Sequence, residues 1–234
     1  MVIFWASFLA SCSPILVRFF FSDCLLIDLG FRARTENSDP SPAFVIGENI
    51  MQASNAVPKA EYADNQEYCR VLYKYFRKDL VIWDKKFPDQ DRMDILRKYG
   101  NRNSEGIIKD GFYYGCADLC TVIGSVLIHN GYRCKLIYTV SEEFSISENR
   151  NIGHVYLYID KGAKTYLYDP AMSREIIENY EIGTREIRVK SIIGDQFIYA
   201  VEDQPGNVSL IDWDIEIQMR REASEYWSQF KANN

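Results

Sequence analysis

The sequence predicts a single α+β domain, and three observations predict it. Apolar residues in the first half recur at helical spacing, those beyond Gly131 alternate as strands do, and between them lies a stretch apolar on most sides. Helices first and strands afterwards is the order of an α+β arrangement. At 234 residues, 47% hydrophobic and 14% aromatic, the chain has enough material for one real core.

The elements follow in chain order. Residues 1–31, "MVIFWASFLASCSPILVRFFFSDCLLIDLGF", are apolar but broken by Arg18, Asp23 and Asp28. A membrane span needs about 20 apolar residues in a row, and no basic region precedes this run as it does in a secretory signal. "LASC", Leu9 to Cys12, is similar to a bacterial lipobox, whose cysteine is lipidated. The segment is expected to make the protein membrane-anchored or exported; the alternative is a misassigned start, with Met51 as the true one. Residues 32–54 contain the polar "RARTENSDPSPAF" with two prolines and are expected to be a linker, leaving 55–234 as the domain.

"AEYADNQEYCRVLYKYFRKDL" carries Tyr68, Val71, Leu72, Tyr75 and Phe76, the stripe of an amphipathic helix. "RMDILRKYG" reads as a short helix closed by Gly100. Cys116 to Asn130 reads as a buried central helix opened by Gly115 and ended by Gly131, with Asp118 in its first turn, where the helix dipole favours a carboxylate. Beyond it "YRCKLIYTV", "GHVYLYID" and "KTYLYDP" read as strands, the last two joined by a turn at Asp160-Lys161-Gly162-Ala163. "REIRVKSI" and "QFIYAVED" are further strands, and "DIEIQMRREASEYWSQF" is a closing helix.

Charge and cysteine usage exclude several function classes. A net charge of −6 and a pI near 5.1 are opposite to a nucleic-acid footprint, so no nucleic-acid partner is expected. Six cysteines with no CxxC pair, and only His129 and His154 as imidazoles, do not make a zinc site, and no metal or other cofactor is expected. Cys69 and Cys134 read as packing residues, and His129 as a structural residue at the favourable end of its helix.

A hairpin turning at Lys161-Gly162 would set His154 directly opposite Asp169. Directly opposed residues share a face with Cβ atoms about 4.5–5.5 Å apart, within reach for an imidazole and a carboxylate. A carboxylate that fixes an imidazole leaves the other ring nitrogen to take a proton from a nucleophile. Cys116 is the nucleophile the chain offers. A thiol in the first turn of a helix, beside a histidine, can have its pKa lowered into the range of about 3.5–7.5. The N–H groups of that turn can receive an oxyanion. Cys120, one turn deeper among apolar residues, reads as core.

"GCADLCTVIGSVLIHNGYRCKLIY", "GHVYLYID" and "YLYDP" together resemble the transglutaminase-like superfamily of papain-fold cysteine enzymes. The shared pattern is Gly-Cys opening a buried helix, a Gly closing it, a strand, a His heading the next strand, and Asp-Pro after the one that follows. The resemblance spans about residues 65–172. It implies a buried helix carrying the cysteine packed on an antiparallel sheet carrying the histidine and aspartate. It also implies Cys116 as nucleophile, His154 as base and Asp169 as the orienting acid. Trp83 is the upstream aromatic that would contribute to an oxyanion hole. Tyr114, just ahead of Cys116, reads equally as lining a substrate cleft or as packing. The expected activity is a cysteine-dependent amide hydrolase, most simply a peptidase, on a protein or peptide substrate. The alternatives are a protein-glutamine acyltransferase that crosslinks or deamidates, and a non-catalytic interaction module of the same fold. The polar stretch 141–152 runs directly into His154 and reads as a surface connection or a specificity loop.

Overall fold

The computed structural model describes residues 43–90, 95, 98–99, 102–141, 153–182, 186–187, 196–203 and 208–210. The N-terminal segment, most of the helix expected over 92–100, the 142–152 stretch and the expected closing helix lie outside the described residues. No described helix is long and apolar enough to cross a membrane.

The first element corrects the expected linker. Residues 43–54 belong to the core rather than to a tether: Ala43, Phe44, Ile50 and Ala53 are buried, and Glu48–Ala56 form helix α1. Gly47 at its N-cap has no side chain to offer, so the cap comes from far along the chain. Glu105 accepts from the N–H groups of Gly47 (3.0 Å), Asn49 (3.2 Å) and Ile50 (2.9 Å). Burial alone would raise the Glu105 carboxyl pKa, but these bonds and the one from the Asn49 side chain hold it below its ordinary value.

Helix α2 (Asn65–Asp79) starts at Asp64, whose carboxylate accepts from the N–H of Gln66 (3.0 Å). Its buried side chains are Tyr68, Cys69, Leu72 and Phe76, with Val71 and Tyr75 at the margin of the stripe. A parallel pair of two-residue strands follows, β1 (Val81–Ile82) with β2 (Phe112–Tyr113), with the one-turn helix α3 (Trp83–Lys86) and helix α4 (Ser104–Asp110) between them in the chain.

Helix α5 (Cys116–His129) is central, as its composition requires. Nearly every side chain from Leu119 to Leu127 is buried, and it packs on β3 (Arg133–Ser141) and β4 (Gly153–Lys161). The described sheet continues through β5 (Lys164–Tyr168), β6 (Ile176–Glu178), β7 (Glu186–Ile187), β8 (Gln196–Glu202) and β9 (Val208–Leu210). Its order is β6-β5-β4-β3-β8-β7, with β9 also on β8 and every described pairing antiparallel. Both faces of β4 are buried. Val155, Leu157 and Ile159 face α5, and Tyr156 and Tyr158 join Ile137, Leu167 and Ile198 on the other side. A strand covered on both faces reads as a continuous apolar run, which is what "VYLYI" is.

The hairpin register differs from the expected one by two residues. Leu157 pairs with Tyr168 and Lys161 with Lys164, so the turn is Gly162-Ala163, with Gly162 at φ +68°. Asp169 therefore lies diagonal to His154 instead of directly across from it. A slip of one residue would have sent the two to opposite faces; a slip of two leaves them on the same one.

Helix α5 carries a glycine where its neighbours leave no room. A Cβ built on Gly124 would meet Phe44 Cε1 at 2.5 Å and Leu157 Cδ1 at 3.0 Å. Gly124→Ala should therefore overpack the junction of arm, helix and sheet and cost about 1–3 kcal/mol. A urea midpoint equal to wild type would show that the arm yields freely.

Candidate active site

The site is built from three segments. Cys116 opens α5 behind Gly115, which is extended and supplies no side-chain cap. His154 is the second residue of β4, its strand pinned by the Thr139 hydroxyl donating to the His154 carbonyl (3.2 Å). Asp169 follows the last residue of β5. The three are 3%, 2% and 1% exposed respectively, so a thiol, an imidazole and a carboxylate share one largely water-excluded place.

His154 Nε2 lies 3.0 Å from Asp169 Oδ1. The Cys116 side chain acts electrostatically on the same imidazole. The structure thus sets Asp169 beside His154, and Cys116 is the thiol whose charge acts on that ring.

The electrostatics follow from that contact. Burial by itself would lower the His154 pKa. The charge of Cys116, the hydrogen bonds to Asp169 and Cys116, and the Asp169 charge outweigh burial and push it up to about 10. Asp169 moves the opposite way. Burial would raise it, but the His154 hydrogen bond and charge, with the N–H bonds of the next turn, hold it well below the usual carboxylate range. Both shifts run in the direction that favours the charged form of each partner.

The Asp169 carboxylate is fixed by its own chain as well. Oδ1 accepts from the N–H groups of Ala171 (3.1 Å) and Met172 (3.0 Å), and Oδ2 from the N–H and hydroxyl of Ser173 (both 3.0 Å). Pro170 between them has no N–H to compete. Ser173 was missed in the sequence reading. The signal was an aspartate followed four residues on by a serine, the pattern of a side chain closing its own turn.

The remaining cysteines differ from Cys116. Cys120 donates weakly to the Val155 carbonyl (3.4 Å); burial pushes the Cys120 and Cys134 thiols well up, and the Cys69 thiol up to about 12. All three are uncharged packing thiols. His129 is exposed in the last turn of α5. Trp83 stacks on Tyr114, with ring centroids 5.4 Å apart and planes 21° apart. That packs Trp83 of α3 against Tyr114, two residues ahead of Cys116. Among the described residues, no group of three His, Cys, Asp or Glu side chains could hold a metal ion.

A second missed feature lies just upstream. Asp118 was read only as a dipole partner in the first turn. Its Oδ2 accepts from the Tyr114 N–H (2.8 Å) and from Arg102 Nη2 (2.6 Å). Arg102 Nη1 also reaches Asp110 Oδ2 and the Phe112 carbonyl, each at 3.2 Å, and the guanidinium covers the Phe112 ring at 4.0 Å. No short motif announces such a residue, because it reaches Asp118 from sixteen positions away.

No protein-family model and no curated protein matches the chain. Among solved structures it is similar to arylamine N-acetyltransferase C from Bacillus anthracis, at 10% identity over 76% of each chain. The TM-score is 0.33, a level that does not establish a shared fold.

Proposed function

We propose that the protein is a thiol-dependent enzyme of the transglutaminase-like, papain-fold kind that transfers the acyl group of an amide, with Cys116 as nucleophile, His154 as base and acid, and Asp169 as orienting group. The observation that carries this reading is the imidazole held between a carboxylate at 3.0 Å and a helix-opening thiol, in a place nearly closed to water. A packing histidine has no need of either partner.

The chemistry balances within these groups. In this reading the thiol proton passes to the imidazole, and the sulfur is available as thiolate. The sulfur attacks the amide carbonyl carbon, a C–S bond forms, and the tetrahedral oxyanion is received at the first turn of α5. The C–N bond breaks as the imidazolium gives its proton to the departing amine. The neutral imidazole then deprotonates the acceptor, which attacks the thioester; the C–S bond breaks and the ion pair is restored. Water as acceptor makes an amide hydrolase, in its simplest form a peptidase, and this is the reading we favour. An amine as acceptor makes a crosslinking or modifying enzyme.

Two measurements test it. Iodoacetamide near pH 6 should label Cys116 before the other five cysteines, read by peptide mass mapping; slow, uniform labelling would point to a non-catalytic module. Casein incubated with and without a fluorescent amine should give new fragments if water accepts the acyl group, and a fluorescent protein band if the amine does.

A further inference from the structure

We infer that Arg102 and Asp118 form a positioning and charge-balancing pair for Cys116: Asp118 aims the residues that precede the thiol, and Arg102 offsets the carboxylate charge this requires. The inference rests on the functional reading above and assigns roles to two residues outside its triad.

The geometry of the pair is specific. Asp118 lies two residues after Cys116, in the same first turn, and its Oδ2 reaches back over the helix start to the Tyr114 N–H (2.8 Å). That bond fixes the Tyr114-Gly115 peptides, and Gly115 has no side chain to fix them otherwise. The direction in which the chain enters α5, and hence where the sulfur points, depends on it. Yet a carboxylate in the same helical turn as a thiol opposes its ionisation. Arg102 answers both needs. Its Nη2 sits 2.6 Å from the same Oδ2 while Nη1 is tied to α4 at Asp110 and to β2 at Phe112, so the fork cannot drift. The pair is nearly buried, with side chains 8% and 15% exposed, so solvent does little to screen it.

The charged and titratable groups around Cys116 come from several elements. Asp118 and Cys120 are on its own helix, His154 comes from β4, Asp169 from the turn after β5, and Arg102 from the segment ahead of α4. Asp110 lies beyond Arg102, and Lys86 of α3 donates to the Asp110 carbonyl (2.6 Å). Arg77 of α2 covers the Tyr113 ring at 4.9 Å. Among these, only Arg102 is ion-paired to the carboxylate nearest the thiol along the chain.

The test is the pH dependence of iodoacetamide reaction at Cys116 in the intact protein, read by mass mapping, for wild type, Arg102→Met, Asp118→Asn and the double variant. Arg102→Met should move the midpoint up by about one pH unit, making the reaction about tenfold slower at pH 6. Asp118→Asn keeps an acceptor for Tyr114, removes the charge and should move the midpoint down by about as much. The double variant should return to within about half a unit of wild type, a rescue that a merely structural arginine would not give. If Arg102→Met does not fold, the Asp118→Asn shift still decides: an unchanged midpoint overturns the inference. A double variant no better than Arg102→Met overturns it too. A wild-type midpoint near that of an ordinary thiol, about 8.5, would instead overturn the enzymatic reading on which the pair's role rests.

Discussion

Cys116→Ala is expected to fold like the wild type and to lose amide cleavage or acyl transfer by about 10⁴-fold or more. Folding should survive because the substitution removes one sulfur at the start of a helix whose packing rests on Leu119, Ile123, Val126 and Leu127. Activity should not, because Cys120 is the nearest other thiol in the chain and burial keeps it protonated. Alanine also removes one of the groups that hold the imidazole charged. The measurement is turnover on whichever casein assay is positive, alongside the thermal unfolding midpoint. Retained turnover would show that the nucleophile is elsewhere.

Asp169→Ala should damage both fold and activity. It leaves a buried imidazole without its ion-pair partner and three N–H groups, at Ala171, Met172 and Ser173, without their acceptor. Breaking such a buried pair typically costs about 3–5 kcal/mol. Asp169→Asn keeps an acceptor oxygen for the turn and should fold better, yet still fall in activity by up to about 10⁴-fold, because an amide no longer selects the right imidazole tautomer. The stability difference should depend on pH, with a sign fixed by the two shifts. His154 is raised from 6.5 to about 10, so its contribution is complete below 6.5 and is lost as pH rises through about 10. Asp169 is lowered, so its contribution is present above the ordinary value of 3.8 and is lost as pH falls through its depressed one. The gap in unfolding midpoint between wild type and Asp169→Asn should be widest near pH 5–6 and narrow toward pH 10. A gap that stays constant over that range would mean the pair is not ionised.

The parts of this protein that were legible in the sequence are those whose signal is local and periodic. The Cys116–His129 helix is apolar nearly all round, and the strands after it follow one another with turn residues between, so their order and type could be read directly. The parts that were not legible depend on partners far along the chain. Helix α1 has few apolar positions and a glycine for a cap, and it is held by Glu105, more than fifty residues away. Strands β1 and β2 are two residues each, too short for any period. The hairpin register was misread because a two-residue turn at Lys161-Gly162 and one at Gly162-Ala163 both contain the glycine, and Gly162 alone does not choose between them. The shared face of His154 and Asp169 nevertheless followed, since parity along a strand is insensitive to a shift of two.

The contact between Phe44 and Gly124 has a consequence for shorter forms of the chain. A polypeptide beginning at Met51 would keep the thiol, the imidazole and the carboxylate in its sequence. It would lack the ring that fills the notch in the central helix and the peptide groups of Gly47, Asn49 and Ile50 that gather around Glu105. The helix that presents the sulfur would then face an empty hollow at Gly124, and the forty-third to fiftieth residues emerge as an inbuilt wedge.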